Sequence, residues 1–312
     1  MRCFSPLQTK KTKSGGFSRQ LPYLFLVLPA FIYEIIFWLL PLGGVVIAFK
    51  DFNYRDGIFG SPWVGFKYFD YFFTSQDAVR TIRNTILYSV WFHVVGIIAG
   101  VFLAILLYEV SNRKLLRVYH TTLLAPYFIS WVVVAYVFNI LLGYSYGVLN
   151  QMITACGGTA VQWYSEPAYW PVILTIAALW KNIGMGCVFY YANLMSLDEN
   201  LFEAAAIDGA GRIRQWIHIG IPSLIPLICI LTIMKMGSIM GGDFGLFYQV
   251  SMNNGALYPA TDILSTYIYR GLVSGGLSAT AAVGLFQSVV GFIMVVLSNS
   301  VVKRLDPDSA MF

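Results

Sequence analysis

Charge is scarce in this chain. Only 11% of its 312 residues are Asp, Glu, Lys or Arg, against about 25% in an ordinary soluble domain. That scarcity excludes a soluble globular fold for the whole length. No G-x-x-x-x-G-K-[ST] phosphate loop occurs, so ATP is not hydrolysed here by that machinery. The four cysteines, Cys3, Cys156, Cys187 and Cys229, lie far apart without a C-x-x-C pair. They suggest neither a disulfide framework nor a metal site, and Cys187 and Cys229 read as small hydrophobes inside apolar runs. His93, His120 and His218 show no metal-ligand spacing, and no Ser/His/Asp arrangement stands out. A catalytic centre, a metal and a cofactor of the chain's own are therefore not expected. Internal repeats and low-complexity tracts are also lacking. The net charge of +5 comes from basic residues scattered beside apolar runs, which does not make a nucleic-acid surface.

What the chain has is hydrophobicity: 58% of residues are apolar, with mean hydropathy +0.68. A membrane-spanning helix needs about 20 mainly apolar residues. Six runs qualify, near 21–49, 84–109, 117–142, 168–195, 217–240 and 281–302. The expected class is an all-α integral membrane protein of six transmembrane helices. The first run comes after Lys10, Lys11, Lys13 and Arg19 in the manner of a signal peptide. It is too long for such a segment and has no small-residue cleavage site after it, so it reads as an uncleaved span. Pro22, Pro29 and Pro41 predict a kink in it.

Lys and Arg placement sets the orientation. The N-terminal tail, the 110–117 turn, the 196–216 loop and the C-terminal tail carry Lys or Arg, whereas 143–167 has none and 241–280 only Arg270. Both termini are thus expected in the cytoplasm. The segment 50–83 breaks the rule with Lys50, Arg55, Lys67, Arg80 and Arg83, interleaved with Asp51, Asp56, Asp70 and Asp77. The resulting division is a cytoplasmic tail (1–20), a first span with an extracytoplasmic loop (21–83), a core (84–302) and a second cytoplasmic tail (303–312).

The 196–222 loop lies on the cytoplasmic side in this orientation. Ser196-Leu-Asp-Glu199 has the form of a capping box, predicting a helix from about Leu197 through Ala206. Gly209 is placed to end that helix at positive φ, and Asp208 to cap the next turn. Arg212, Ile213, Trp216 and Ile217 have helical spacing into the next span. A face of Ala204, Ala205 and Ala206 permits close approach by a partner, and Glu203 adds one charge. Taken singly, these residues also suit an ordinary connecting loop whose glycine only turns the chain.

Their joint spacing goes further. Glu203-Ala204-Ala205, Gly209, Ile219 and Ile221-Pro222 resemble the EAA signature of ABC importer permeases, E-A-A-x3-G-x9-I-x-L-P, with Ile221 in place of Leu. Phe49-Lys-Asp-Phe52, Trp63-Val-Gly-Phe-Lys-Tyr-Phe69, Asn84-Thr85, Trp180-Lys-Asn-Ile-Gly184 and Thr266-Tyr-Ile-Tyr-Arg270 are similar to carbohydrate importers of the maltose-permease type. The likeness is strongest to subunits that import oligosaccharides in Gram-positive bacteria. It runs from about Leu21 to the tail, without a large extracytoplasmic insert after the first span.

The resemblance implies the type I ABC importer permease fold in a bacterial cell membrane. It implies half of a pathway, with a second homologous permease subunit, two ABC ATPase subunits that bind ATP-Mg, and an extracytoplasmic sugar-binding lipoprotein as partners. Glu203, Ala204, Ala205, Asp208, Gly209, Ile219 and Pro222 are the implied ATPase-coupling residues. An ion-coupled secondary transporter is the alternative; it would need a midplane carboxylate, for which Glu34 is the only tempting residue.

Charges at membrane depth cost at least ~2.5–3.5 kcal/mol, so they face partners or water. Glu34, Lys181 and Lys235 are the candidates. Lys181, with Asn182, Tyr191 and Asn193 nearby, is a candidate for the sugar passage, because amides bond hydroxyls and aromatic rings stack on sugars. Lys181, Gly184, Val188 and Tyr191 share one helical face, while Asn182 and Asn193 lie off it. The same residues could equally serve helix packing. Gly241–Gly245 reads as a hinge or external gate or as a simple turn, and Tyr248, Tyr258, Tyr267 and Tyr269 as a meeting surface for a sugar-binding protein or, in preference, an interfacial aromatic belt.

Overall fold

The computed structural model describes residues 17–305, with side chains from 23 to 304. The N-terminal Lys10, Lys11 and Lys13 therefore fall outside the described residues. Within them the chain is helical, with one isolated antiparallel bridge between Lys50 and Trp63.

Among the described residues the longer helices are α1 (Phe17–Glu34), α2 (Gln76–Tyr108), α3 (Arg113–Leu124), α4 (Trp131–Leu142), α5 (Trp170–Leu194), α6 (Glu199–Ile207), α7 (Ile221–Gly237), α8 (Leu264–Val273) and α9 (Leu277–Leu305), with shorter helices such as Lys67–Phe73 and Val148–Ala155 between them. Among the described residues, five helical segments are long and apolar enough to cross a membrane, and a bent pair makes a sixth. The first continues from α1 through Phe49 and buries none of its most apolar window within this chain. The second starts at Gln76, earlier than the run from 84 predicts. Ser75 caps it, accepting from the Ala78 N–H at 3.3 Å, and polar residues 76–83 extend the helix outside the apolar run.

The third expected span, 117–142, is not one straight helix. α3 with its extension to Phe128 meets α4 at 97°. Pro126 shapes the end of the first arm, and Ser130 starts the second by accepting from the Val133 N–H at 3.4 Å.

α2 and α5 form the central pair. Gly100 of α2 lets the Tyr190 ring lie about where a Cβ would touch it, 3.0 Å away. Gly184 of α5 is more constrained: a Cβ there would meet the Leu123 carbonyl oxygen of α3. The core divides into an outer cluster around Trp170, Leu174 and Phe247, an inner one around Tyr190, Phe202 and Trp216, and a lateral one of Phe72, Ile239 and Leu264.

The cations of 50–83 that break the orientation pattern are largely engaged. Lys50 donates to the Ile58 and Phe59 carbonyls at 2.8 and 3.0 Å, and Lys67 lies 3.7 Å from Asp51. Arg80 pairs with Asp77 at 2.7 Å and with the fully buried Asp262 at 2.9 Å.

Candidate functional site: the cytoplasmic loop and the membrane cavity

The loop expected to carry coupling folds as a helix, a tight turn and a second helix. α6 is capped at a later position than the sequence suggests. Asp198, not Ser196, accepts from the Asn200 N–H at 3.0 Å, while the Ser196 hydroxyl donates back to the Asn193 carbonyl at 2.6 Å. Glu199 becomes the first helical residue, where its charge favours the helix N-terminus. Gly209 ends the helix at φ +79°, with Ala210 N–H bonded to the Ala205 carbonyl at 2.9 Å. Asp208 closes α6 and does not cap the next turn, which Gly211 begins with no side-chain cap.

The loop has an anchored face and a free face. Phe202 and Trp216 are buried, 5.4 Å apart between ring centres, and Tyr108 at the end of α2 packs 5.1 Å from Trp216. The Trp216 indole N–H donates to Glu109 at 2.8 Å, and buried Gln215 donates to the Ala210 carbonyl at 2.9 Å. Position 220 is glycine because the Trp216 ring occupies the place a Cβ would need. On the other face Glu203, Ala204, Ala206 and Asp208 are exposed, beside Ile207 at 87% and Ile213 at 78% exposure. The Glu203 carboxylate has no hydrogen bond or ion pair among the described residues. Ile219 packs into the inner core cluster, and Pro222 is exposed in the first turn of α7.

A cavity of about 370 Å³ lies between α2, α5, α7 and the 242–247 segment. Asn182, His93, Lys235 and Asp243 line it together with Thr85 and Ser89, and Tyr88, Phe92, Phe189, Tyr190 and Phe247 add rings. Of the candidate passage residues, only Asn182 lines it. Lys181 is buried, and its ammonium donates to the Tyr127 carbonyl at 2.8 Å, the Pro126 carbonyl at 3.4 Å and the Ile129 carbonyl. It also lies 5.2 Å from the Trp131 ring centre. The face shared by Lys181, Gly184 and Tyr191 thus packs on the bent third span; Tyr191 meets His120 edge-on at 4.7 Å. Asn193 lies near the cytoplasmic end of α5 and accepts from Ser196. His93, Asp243 and the aromatic lining join the cavity without a motif to mark them; polar residues recurring inside apolar runs are their signal in the sequence.

Outside the cavity, Asp262 is fully buried between Arg80 and Arg270, the latter at 2.5 Å, and accepts from Thr266 at 2.9 Å. Arg270 stacks on Tyr258, 4.1 Å from the ring centre. Tyr248 and Tyr269 pack on each other and on Phe244, forming a local cluster.

Residues 96–307 match the family described as binding-protein-dependent transport system inner membrane component. The chain is 35% identical to Protein LplB of Bacillus subtilis, over 92% of this chain and 89% of that one. It is 33% identical to the polygalacturonan/rhamnogalacturonan transport system permease protein YteP of the same organism, over 91% and 89% of the two chains. A chain in the crystal structure of a bacterial ABC transporter involved in import of the acidic polysaccharide alginate superposes with a TM-score of 0.85, covering 93% of this chain and 97% of its own at 29% identity. A further structure of the alginate transporter, in complex with an alginate pentasaccharide-bound periplasmic protein, superposes with a TM-score of 0.84 at 29% identity, over 92% and 96% of the two chains. With its spans, its type I importer fold and its helix–turn–helix loop, the chain belongs to the binding-protein-dependent transport system inner membrane components and is a multi-pass permease subunit of an ABC importer.

Proposed function

We propose that this permease carries oligosaccharides across the cell membrane, forming half of the pathway beside a second, homologous permease subunit. Two separate ATPase subunits bind ATP-Mg and dock on the 196–222 loop. A sugar-binding lipoprotein delivers the substrate at the outer face. The observation that carries this reading is the two-faced loop: one side is tied to α2 through Trp216 and Glu109, and the other presents Glu203 and an exposed alanine face. Small side chains admit a partner's backbone, and ATPase closure would displace the loop and the helices fixed to it. The polysaccharide transporters among its relatives support a sugar substrate.

An ion-coupled carrier is not favoured. Glu34 is exposed on the first span and does not line the cavity. The test is reconstitution with the partner permease, ATPases and binding protein in liposomes. Sugar uptake should require ATP inside, and Glu203→Ala or Gly209→Ala should raise the ATP consumed per sugar moved while the complex still assembles. Uptake that persists with inactivated ATPases and collapses with the ion gradient would overturn it.

A further inference from the structure

We propose that Lys235 reads negative charge on the transported sugar, so that the permease selects oligosaccharides bearing carboxylates, of the uronate kind, over neutral ones. This rests on the oligosaccharide reading and specifies the substrate's charge.

Lys235 sits in the last turn of α7, partly buried, and lines the cavity. Among the described residues its ammonium has no hydrogen bond, and no carboxylate lies within 4.0 Å. Comparable cations are engaged differently: Lys181 is held by three backbone carbonyls, and Arg80 and Arg270 share Asp262.

The one acid lining the cavity, Asp243, is committed elsewhere. Its Oδ1 accepts from the Leu246 N–H at 3.2 Å, in the first turn of the helical segment that begins at Phe244, and Lys235 acts on it only as a more distant charge. His93 is bonded to Thr232 at 2.9 Å. Asn182 donates its N–H to the Ala178 carbonyl at 3.0 Å, which leaves its side-chain oxygen for a hydroxyl donor. Tyr88 and Phe247, packed edge to face 4.9 Å apart, both line the same space. A cavity that offers one unengaged cation, an amide acceptor and aromatic rings suits a sugar ring that carries a carboxylate. A neutral sugar would leave the ammonium partly desolvated, with only the more distant Asp243 as counter-charge.

The test uses the full transporter in liposomes, with uptake normalised to assembled complex. Trigalacturonate and neutral galactotriose are the probes, with glycerol 3-phosphate as a non-sugar anion. The native complex should prefer trigalacturonate. Lys235→Gln should lower its uptake roughly tenfold or more, the value of one charge-assisted contact, and Lys235→Arg should keep most of it. Lys235→Cys should regain uptake after reaction with an aminoethyl thiosulfonate and not with a sulfonatoethyl one. Equal uptake by Lys235→Gln and native complexes, native preference for galactotriose, or equal rescue by both reagents would overturn the role of Lys235 and leave the oligosaccharide reading standing. Transport of glycerol 3-phosphate with neither sugar moved would overturn that reading, and the proposal with it.

Discussion

The Lys181 ammonium on α5 donates to the Tyr127 carbonyl at 2.8 Å, at the corner where the third span breaks. A broken helix at membrane depth frees carbonyls that lipid cannot satisfy, and one lysine from a neighbouring helix takes up three of them. Lys181→Met should therefore act on stability before transport. Losing these bonds should cost about 2–4 kcal/mol, read as a lower melting temperature of the purified complex in detergent. Lys181→Arg should recover part of the loss. A Lys181→Met complex of native stability with altered sugar preference would instead place the lysine in the passage.

Trp216 and Glu109 supply the second prediction. Trp216→Phe keeps the ring packing and removes the indole donor, so assembly should persist while more ATP is spent per sugar transported. Arg212→Gln removes only the exposed pair with Glu109 at 3.6 Å. It should change stability by less than about 1 kcal/mol, measured by thermal unfolding.

Gly209 has open space around the position of a Cβ, so only its φ of +79° resists substitution. Gly209→Ala should cost about 1–2 kcal/mol locally, and Gly209→Asn less. Hydrogen exchange of the 199–215 amides in the assembled transporter would show the loosening.

Asp262 sits without exposure between two arginines that are 28% and 22% exposed. Asp262→Asn leaves both guanidinium groups facing a neutral amide. Recovery of folded complex should fall, with a loss of about 3 kcal/mol, the lower end for a broken buried pair because water reaches the arginines. Asp77→Asn, whose carboxylate is half exposed, should be much milder; equal effects would contradict the buried-pair account.

Local chemistry was legible in the sequence where one residue type had one conformational use. Gly209 had to turn left-handed, and it does. Where two residues could serve, the pattern did not decide: Ser196 and Asp198 are both good caps, and the bond from Ser196 back to Asn193 left the role to Asp198. The corner in the third span was hidden because its hydropathy is continuous across Pro126 and Ser130. The use of Lys181 depends on that corner, so it was hidden too. Helical periodicity did group Lys181, Gly184 and Tyr191 on one face, but could not tell whether that face met a helix or a passage. Asn182, off the face, is the one that reaches the cavity.

One helix connects the outer ion cluster, the cavity and the cytoplasmic loop. α2 runs for 33 residues, about 50 Å at 1.5 Å per residue. Its outer end holds Arg80 against Asp262, its middle brings Tyr88 and His93 to the cavity, and Glu109 just beyond its inner end grips Trp216. It contains no proline to kink it. On the proposed coupling, a push on the cytoplasmic loop would reach the outer surface through that one helix. A spin-label pair placed across the Arg80 end should thus report nucleotide binding on the opposite side of the membrane.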